Sequence, residues 1–196
     1  MKSRKESSYD FYINQFEKAK TEAEDFMLPL DDRTFRRKPD SKTWCIGECY
    51  SHLVETGTSY YQKASKGVEK ANKPGPDSEN PMHIRFFMQW FINYLEPPIT
   101  LKSKAPGPFK PVTYAKLDKD EVLNNFLELQ DKYITLLKIA DTNNLDLSGI
   151  KVSNPLISFI KMSVAESIAA TEAHQRRHME QAQKVKSRLE ENQSNL

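Results

Sequence analysis

At 196 residues the chain is long enough for one domain with a sizeable core. Its 29 basic and 27 acidic residues leave a formal charge of +2, too weak a field to recruit nucleic acid or an anionic membrane. No apolar run nears the roughly 20 residues that cross a bilayer, and no apolar stretch follows the basic start as it would in a secretory signal.

Proline is excluded from helix interiors because it lacks a donor and clashes with the preceding turn. The 11 prolines, at 29, 39, 74, 76, 81, 97, 98, 106, 108, 111 and 155, therefore bracket the helix candidates. The first runs over 7–28, where Tyr9, Tyr12, Phe16, Ala19, Ala23 and Phe26 recur at steps of three and four. The second runs over 46–71 with the stripe Ile46, Tyr50, Leu53, Tyr60, Ala64 and Val68. Gly57 and Gly67 inside it each cost about 1 kcal/mol of helix propensity. Cys45 and Cys49 lie at its start; two cysteines are too few for a disulfide scaffold and point to a reducing, cytoplasmic compartment.

Residues 82–96 hold Phe86, Phe87, Trp90, Phe91 and Tyr94 and read as a short aromatic helix, suited to core or to a dimer contact. Residues 97–117 carry five prolines and read as extended chain. The third long helix runs over 118–141, with Asp118 as cap, Glu121 three residues on, and the stripe Val122, Phe126, Leu129, Tyr133, Leu136 and Ala140. The fourth runs over 155–190 and opens at Asn154-Pro155, a capping residue followed by proline at the first helical position. The tail after Glu191 is polar and expected to fray. No stretch alternates with period two, so no strand is expected. The pattern predicts an all-α four-helix bundle forming a single domain over 1–196, with a long crossover between helices two and three.

The fourth helix carries the most informative feature. Its core stripe is Ile157, Ile160, Val164, Ser167, Thr171, His174, His178, Gln181 and Val185. It turns polar in the middle, where two imidazoles replace leucine-like residues and the small Ser167 and Thr171 leave room beside them. His174 and His178 are four residues apart, so both rings lie on one helix face. Two buried imidazoles without partners would cost a few kcal/mol each, and a shared metal ion removes that cost. A third imidazole, His52, lies near the start of the second helix, on a polar strip with Cys45, Glu48, Cys49, Glu55 and Thr56. Three neutral nitrogen ligands are the set of a catalytic zinc-type site, which keeps one position for water or substrate.

Other readings of the same residues stand beside this one. The three histidines could form a hydrogen-bonded core cluster. Cys49 could be a fourth ligand or a small buried apolar residue. Glu48 could orient His52 or a bound water, or simply favour the helix dipole. Arg176 and Arg177 face solvent or pair with acids, and nothing ties His83 to the other three. His174-Gln-Arg-Arg-His178 lacks the glutamate that serves a zincin protease as general base, and Thr171-Glu-Ala-His174 does not supply a ferritin-like di-iron motif. No phosphate loop or dinucleotide fingerprint is present.

Two segments resemble signatures of the DinB/YfiT-like family. Trp44-Cys-Ile-Gly-Glu48-Cys-Tyr-Ser-His52-Leu53 resembles its W-x3-E-x3-H-L pattern. Ala173-His174-Gln-Arg-Arg-His178-Met-Glu-Gln181 resembles the A-H-x2-R-H-x2-Q pattern of its last helix. The resemblance implies a four-helix bundle, often dimeric, whose metal ligands are His52, His174 and His178. It also implies chemistry: related members include transferases and isomerases that use low-molecular-weight thiols, and others described as metal-dependent hydrolases. The cofactor expected is a divalent metal ion, zinc, nickel or manganese, bound less well as pH drops through about 6.5. The partners expected are a small-molecule substrate, a low-molecular-weight thiol among the candidates, and a second copy of the chain; nucleic acid and membrane are not expected. The alternative function is a non-catalytic metal-binding dimer of the stress response.

Overall fold

The computed structural model describes residues 8–71, 80–97, 116–155 and 157–194. Helix α1 (Tyr9–Met27) starts at Ser8, whose hydroxyl accepts from the Phe11 amide. A single turn, α2 (Asp32–Arg36), follows, capped by Asp31, whose carboxylate accepts from the Thr34 amide at 2.7 Å. Five residues are too few to show periodicity, so this element is invisible to a stripe-based reading. Helix α3 (Ile46–Glu69) opens on a capping box built on a thiol. Cys45 Sγ accepts from the Glu48 amide at 3.4 Å, and the Glu48 carboxylate accepts from the Cys45 amide at 2.9 Å.

Two glycines in α3 gain close packing in exchange for propensity. A Cβ on Gly47 would stand 2.7 Å from the Phe35 ring of α2, and one on Gly57 would stand 2.6 Å from Leu129. Helix α4 (Phe86–Leu95) falls inside the expected aromatic segment. Helix α5 (Lys119–Thr142) starts where expected, with the Asp118 carboxylate accepting from the Glu121 amide at 2.9 Å.

The next stretch corrects two expectations. Strands β1 (Lys151–Ser153) and β2 (Lys161–Ser163) pair antiparallel, with Val152 opposite Met162. The last helix, α6 (Val164–Ser194), therefore begins nine residues later than the expected 155. Asn154 does cap, but it caps a turn: its side-chain oxygen accepts from the Ile157 amide at 3.1 Å, while its own amide donates to the Ile160 carbonyl at 2.9 Å. Ile157 and Ile160, expected in the core stripe, lie in this hairpin loop and are exposed. The helix starts instead at Ser163-Val-Ala-Glu166, where the Ser163 hydroxyl accepts from the Glu166 amide at 3.1 Å and the Glu166 carboxylate accepts from the Ser163 amide at 2.8 Å.

The long helices form a ring. α1 packs on α5 and α6, and α3 packs on the same two. The fold is all-α, with one small hairpin as its only sheet among the described residues. Most of the expected extended segment, residues 98–115, lies outside the described residues. Among the described residues no helix is long and apolar enough to cross a membrane. α4 packs on α6 and sends Met88 and Ile92 inward, while Phe86, Phe87 and Trp90 point outward.

The apolar core comes in two clusters. One gathers Tyr9, Tyr12 and Phe16 with Ala64, Val68, residues of α5 from Leu129 onward, and α6 from Val164 to Ala173. The other gathers Ala19, Ala23, Met27, Phe35, Cys49, Tyr50, Leu53 and Phe126 with α6 from Met179 to Leu189. Between them, α6 passes through His174 and His178, and α3 passes through His52, Thr56 and Gly57. The bundle thus carries a polar layer between two apolar plugs, each of which supplies packing independently of what the polar layer binds.

Candidate metal centre

His52 sits in the second turn of α3, where Thr56 donates to its carbonyl at 2.7 Å. His174 and His178 sit on successive turns of α6. The three rings form a near-equilateral triangle, with centroids 5.0 Å apart for His52 and His174, 4.6 Å for His52 and His178, and 4.5 Å for His174 and His178. One nitrogen from each ring lies within 4.8 Å of the others, and His52 Nε2 stands 3.3 Å from His174 Nε2. Nitrogens each about 2.1 Å from a tetrahedral zinc ion would be about 3.4 Å apart, so the spacing fits a shared ion. The Nδ1 atom of His178 is buried without a hydrogen-bond partner. Such an orphan costs about 1–3 kcal/mol in a metal-free core.

The protonation state also suits ligation. Burial first, then the charges of His178, His52 and Arg177, holds the His174 imidazole well below its usual range. Burial, then His52 and Arg177, lowers His178 to about 3, with the Gln181 side chain opposing the shift. Both rings are therefore neutral at physiological pH, the form that binds metals. His52 is buried, while His174 and His178 keep part of their surface accessible.

Trp44, the first residue of the W-x3-E-x3-H-L pattern, packs against two of the three rings. Its indole lies 5.1 Å from the His52 ring at a tilt of 57° and stacks on His178 at 5.8 Å and 26°. The neighbouring alternatives are engaged elsewhere. Glu48 uses one oxygen in the α3 capping box and the other to accept from Lys38 at 2.7 Å. Cys49 is fully buried in the second apolar cluster, where burial pushes its thiol well above the ordinary value. Glu48 and Cys49 are not among the side chains that converge with the three histidines. His83 is exposed and apart from them.

Arg176 pairs with acids, as one reading expected. Its Nε donates to Glu172 at 2.5 Å and its Nη2 donates to Glu96 at 3.1 Å. Arg177 does not face solvent: it is buried beneath α4, where its Nη1 donates to the Tyr94 carbonyl at 2.9 Å. The A-H-x2-R-H-x2-Q pattern places an arginine at this position, but only the tertiary packing of α4 reveals what it holds.

Fold and cluster together define a class: an all-α bundle with a three-histidine group able to hold a metal ion. Within that class the chain belongs to the DinB superfamily, whose family model matches residues 15–182. No curated protein and no solved structure matches the chain.

Proposed function

We propose that His52, His174 and His178 bind one divalent metal ion and that the protein is a metal-dependent enzyme, a hydrolase or a low-molecular-weight-thiol S-transferase. The observation that carries the reading is the convergence of three imidazoles from two helices, two of them held neutral, with nitrogens at metal-ligand spacing. When bound, the ion would lower the pKa of a water or thiol at its remaining position. The chain's own residues do the rest. α3 and α6 hold the three rings, and Trp44 packs against His52 and His178. Zinc, nickel and manganese all suit imidazole ligands, and supply decides among them.

The test is to load purified protein with excess zinc or nickel, desalt it, and measure metal per chain. Retention of about one ion is expected. The loaded protein should then transfer a small thiol to a simple electrophile or hydrolyse a simple ester or amide. Retention without turnover would leave the non-catalytic metal-binding protein as the better description, and no retention would sink both.

A homodimer is proposed on a separate observation. Phe86 is 92% exposed, Trp90 72% and Phe159 85%. Arg85 links the two segments that carry them, since it lies against the Phe87 ring at 4.9 Å and donates to the Lys161 carbonyl at 3.2 Å. An apolar surface of this kind is costly in water and suits an isologous contact. Light scattering at micromolar concentration is expected to give twice the chain mass, falling to the monomer mass when Phe86 and Trp90 are both replaced by Ser. A monomeric wild type would refute it.

A further inference from the structure

We propose that Arg177 is a positioning residue that seats α4 against the histidine-bearing turn of α6, so that metal binding and the seating of α4 are thermodynamically linked. This rests on the metal reading above. Helix α4 lacks the features that hold a short helix by itself. It has ten residues, its N-cap residue Arg85 makes no side-chain capping bond, and no basic residue lies in its last turn. An isolated helix of this length is marginal in water.

α6 supplies what α4 lacks. At the C-terminal end, Arg177 donates to the carbonyl of Tyr94, one of the last-turn carbonyls without an intrahelical partner. Its guanidinium carbon also stands 5.5 Å from the centre of the Tyr94 ring. Arg177 is 6% exposed, a burial that arginine tolerates only when engaged. Beside it, Arg176 donates to Glu96, the C-cap residue of α4. At the other end Arg85 grips the fully buried Glu166 of α6 with both arms of its guanidinium, at 2.6 and 2.7 Å. Helix α4 is therefore clamped along α6 from residue 166 to residue 177, and the clamp ends between the two histidines.

The electrostatics make the clamp more than a brace. Arg177 is three residues from His174 and adjacent to His178, so a dication at the histidines meets a buried guanidinium nearby. The C-terminal carbonyls of seated α4 carry about half a negative charge and offset it. If α4 lifts away, the guanidinium loses that compensation and the metal is disfavoured. Linkage then runs both ways: whatever seating adds to metal affinity, metal adds to seating.

Hydrogen exchange on the full chain, with and without zinc, reads this directly. Zinc is expected to slow exchange in residues 86–95 by about 5- to 150-fold, the range of ordinary couplings. Arg177→Met is expected to retain zinc while exchange in 86–95 becomes fast and indifferent to zinc. Arg85→Gln loosens the far end of α4, two turns from the nearest ligand, and is expected to weaken zinc affinity several-fold; a merely structural clamp would lower the melting temperature and leave affinity alone. The proposal is overturned if wild-type protein retains zinc with unchanged exchange in 86–95, if Arg177→Met keeps the zinc effect, or if Arg85→Gln binds zinc as tightly as wild type. If wild type retains no zinc, the metal reading falls first and this inference with it. The wild-type comparison decides the matter even if a variant fails to fold.

Discussion

Replacing His178 by Ala is expected to abolish metal retention while leaving the metal-free protein folded and nearly as stable as before. Two effects separate here. In the metal-free chain the Nδ1 atom of His178 is buried without a partner, so removing it relieves a penalty of about 1–3 kcal/mol that offsets the packing lost with the ring. The apolar clusters on either side of the histidine layer do not depend on it. With metal the balance reverses. An ion present at 100 times its dissociation constant stabilises the folded state by about 2.7 kcal/mol, and two imidazoles hold it poorly. Loss of an outer-shell partner costs about 10- to 100-fold in affinity, and loss of a ligand exceeds that. Thermal melts with and without zinc therefore distinguish the two readings of the cluster. A ligand predicts a zinc-dependent melting temperature in wild type and none in the variant. A hydrogen-bonded core residue predicts a large drop in the variant without zinc and no zinc effect in either.

Much of this was legible in the chain because polar residues interrupt an apolar period. Thr171, His174 and His178 break the stripe of α6 where leucine-like residues would continue it, and that break marks the layer between the two apolar clusters. Asp118 announced the start of α5 because a cap followed by an acid three residues later reflects local hydrogen bonding, which needs no tertiary context. The hairpin was not legible for the converse reason. Strands of three residues offer a single inward position each, Val152 and Met162, and no alternation can be read from one residue. Asn154-Pro155 misled because a cap and a proline open a turn as readily as a helix. The Ser163–Glu166 pair, which does open α6, carries the serine-x-x-glutamate signature of a capping box. The family pattern marks Arg177 by position, but its role was illegible in principle. Its partner is a backbone carbonyl more than 80 positions away, and a carbonyl carries no sequence identity.

The second large effect is acid lability, and its sign follows from the direction of the histidine shifts. In the unfolded chain each imidazole titrates near 6.5. In the folded chain burial holds His174 well below that and His178 at about 3. Both folded-state values are depressed, so the unfolded state binds more protons between those limits. The stability tied to the neutral rings is present in full above about pH 6.5 and is lost as pH falls through the window below it. Each ring adds a slope approaching 1.4 kcal/mol per pH unit once its unfolded form is fully protonated, about 2.7 kcal/mol per unit for the two. A domain stable by about 5–15 kcal/mol cannot sustain that for many units. The layer between the apolar clusters should therefore open, admitting water and protons, before the rest of the bundle melts. Metal affinity follows the folded-state values, not the free imidazole. The sequence-based expectation of release through about pH 6.5 moves downward, and loaded protein should still hold its ion near pH 5.5. Urea unfolding at pH 7.5, 6.5, 5.5 and 4.5, on metal-free wild type and on the variant with both His174 and His178 replaced by Ala, measures the slope. Wild type should lose stability faster than the double variant below pH 6.5, and parallel curves would show that these rings are not held neutral by the fold.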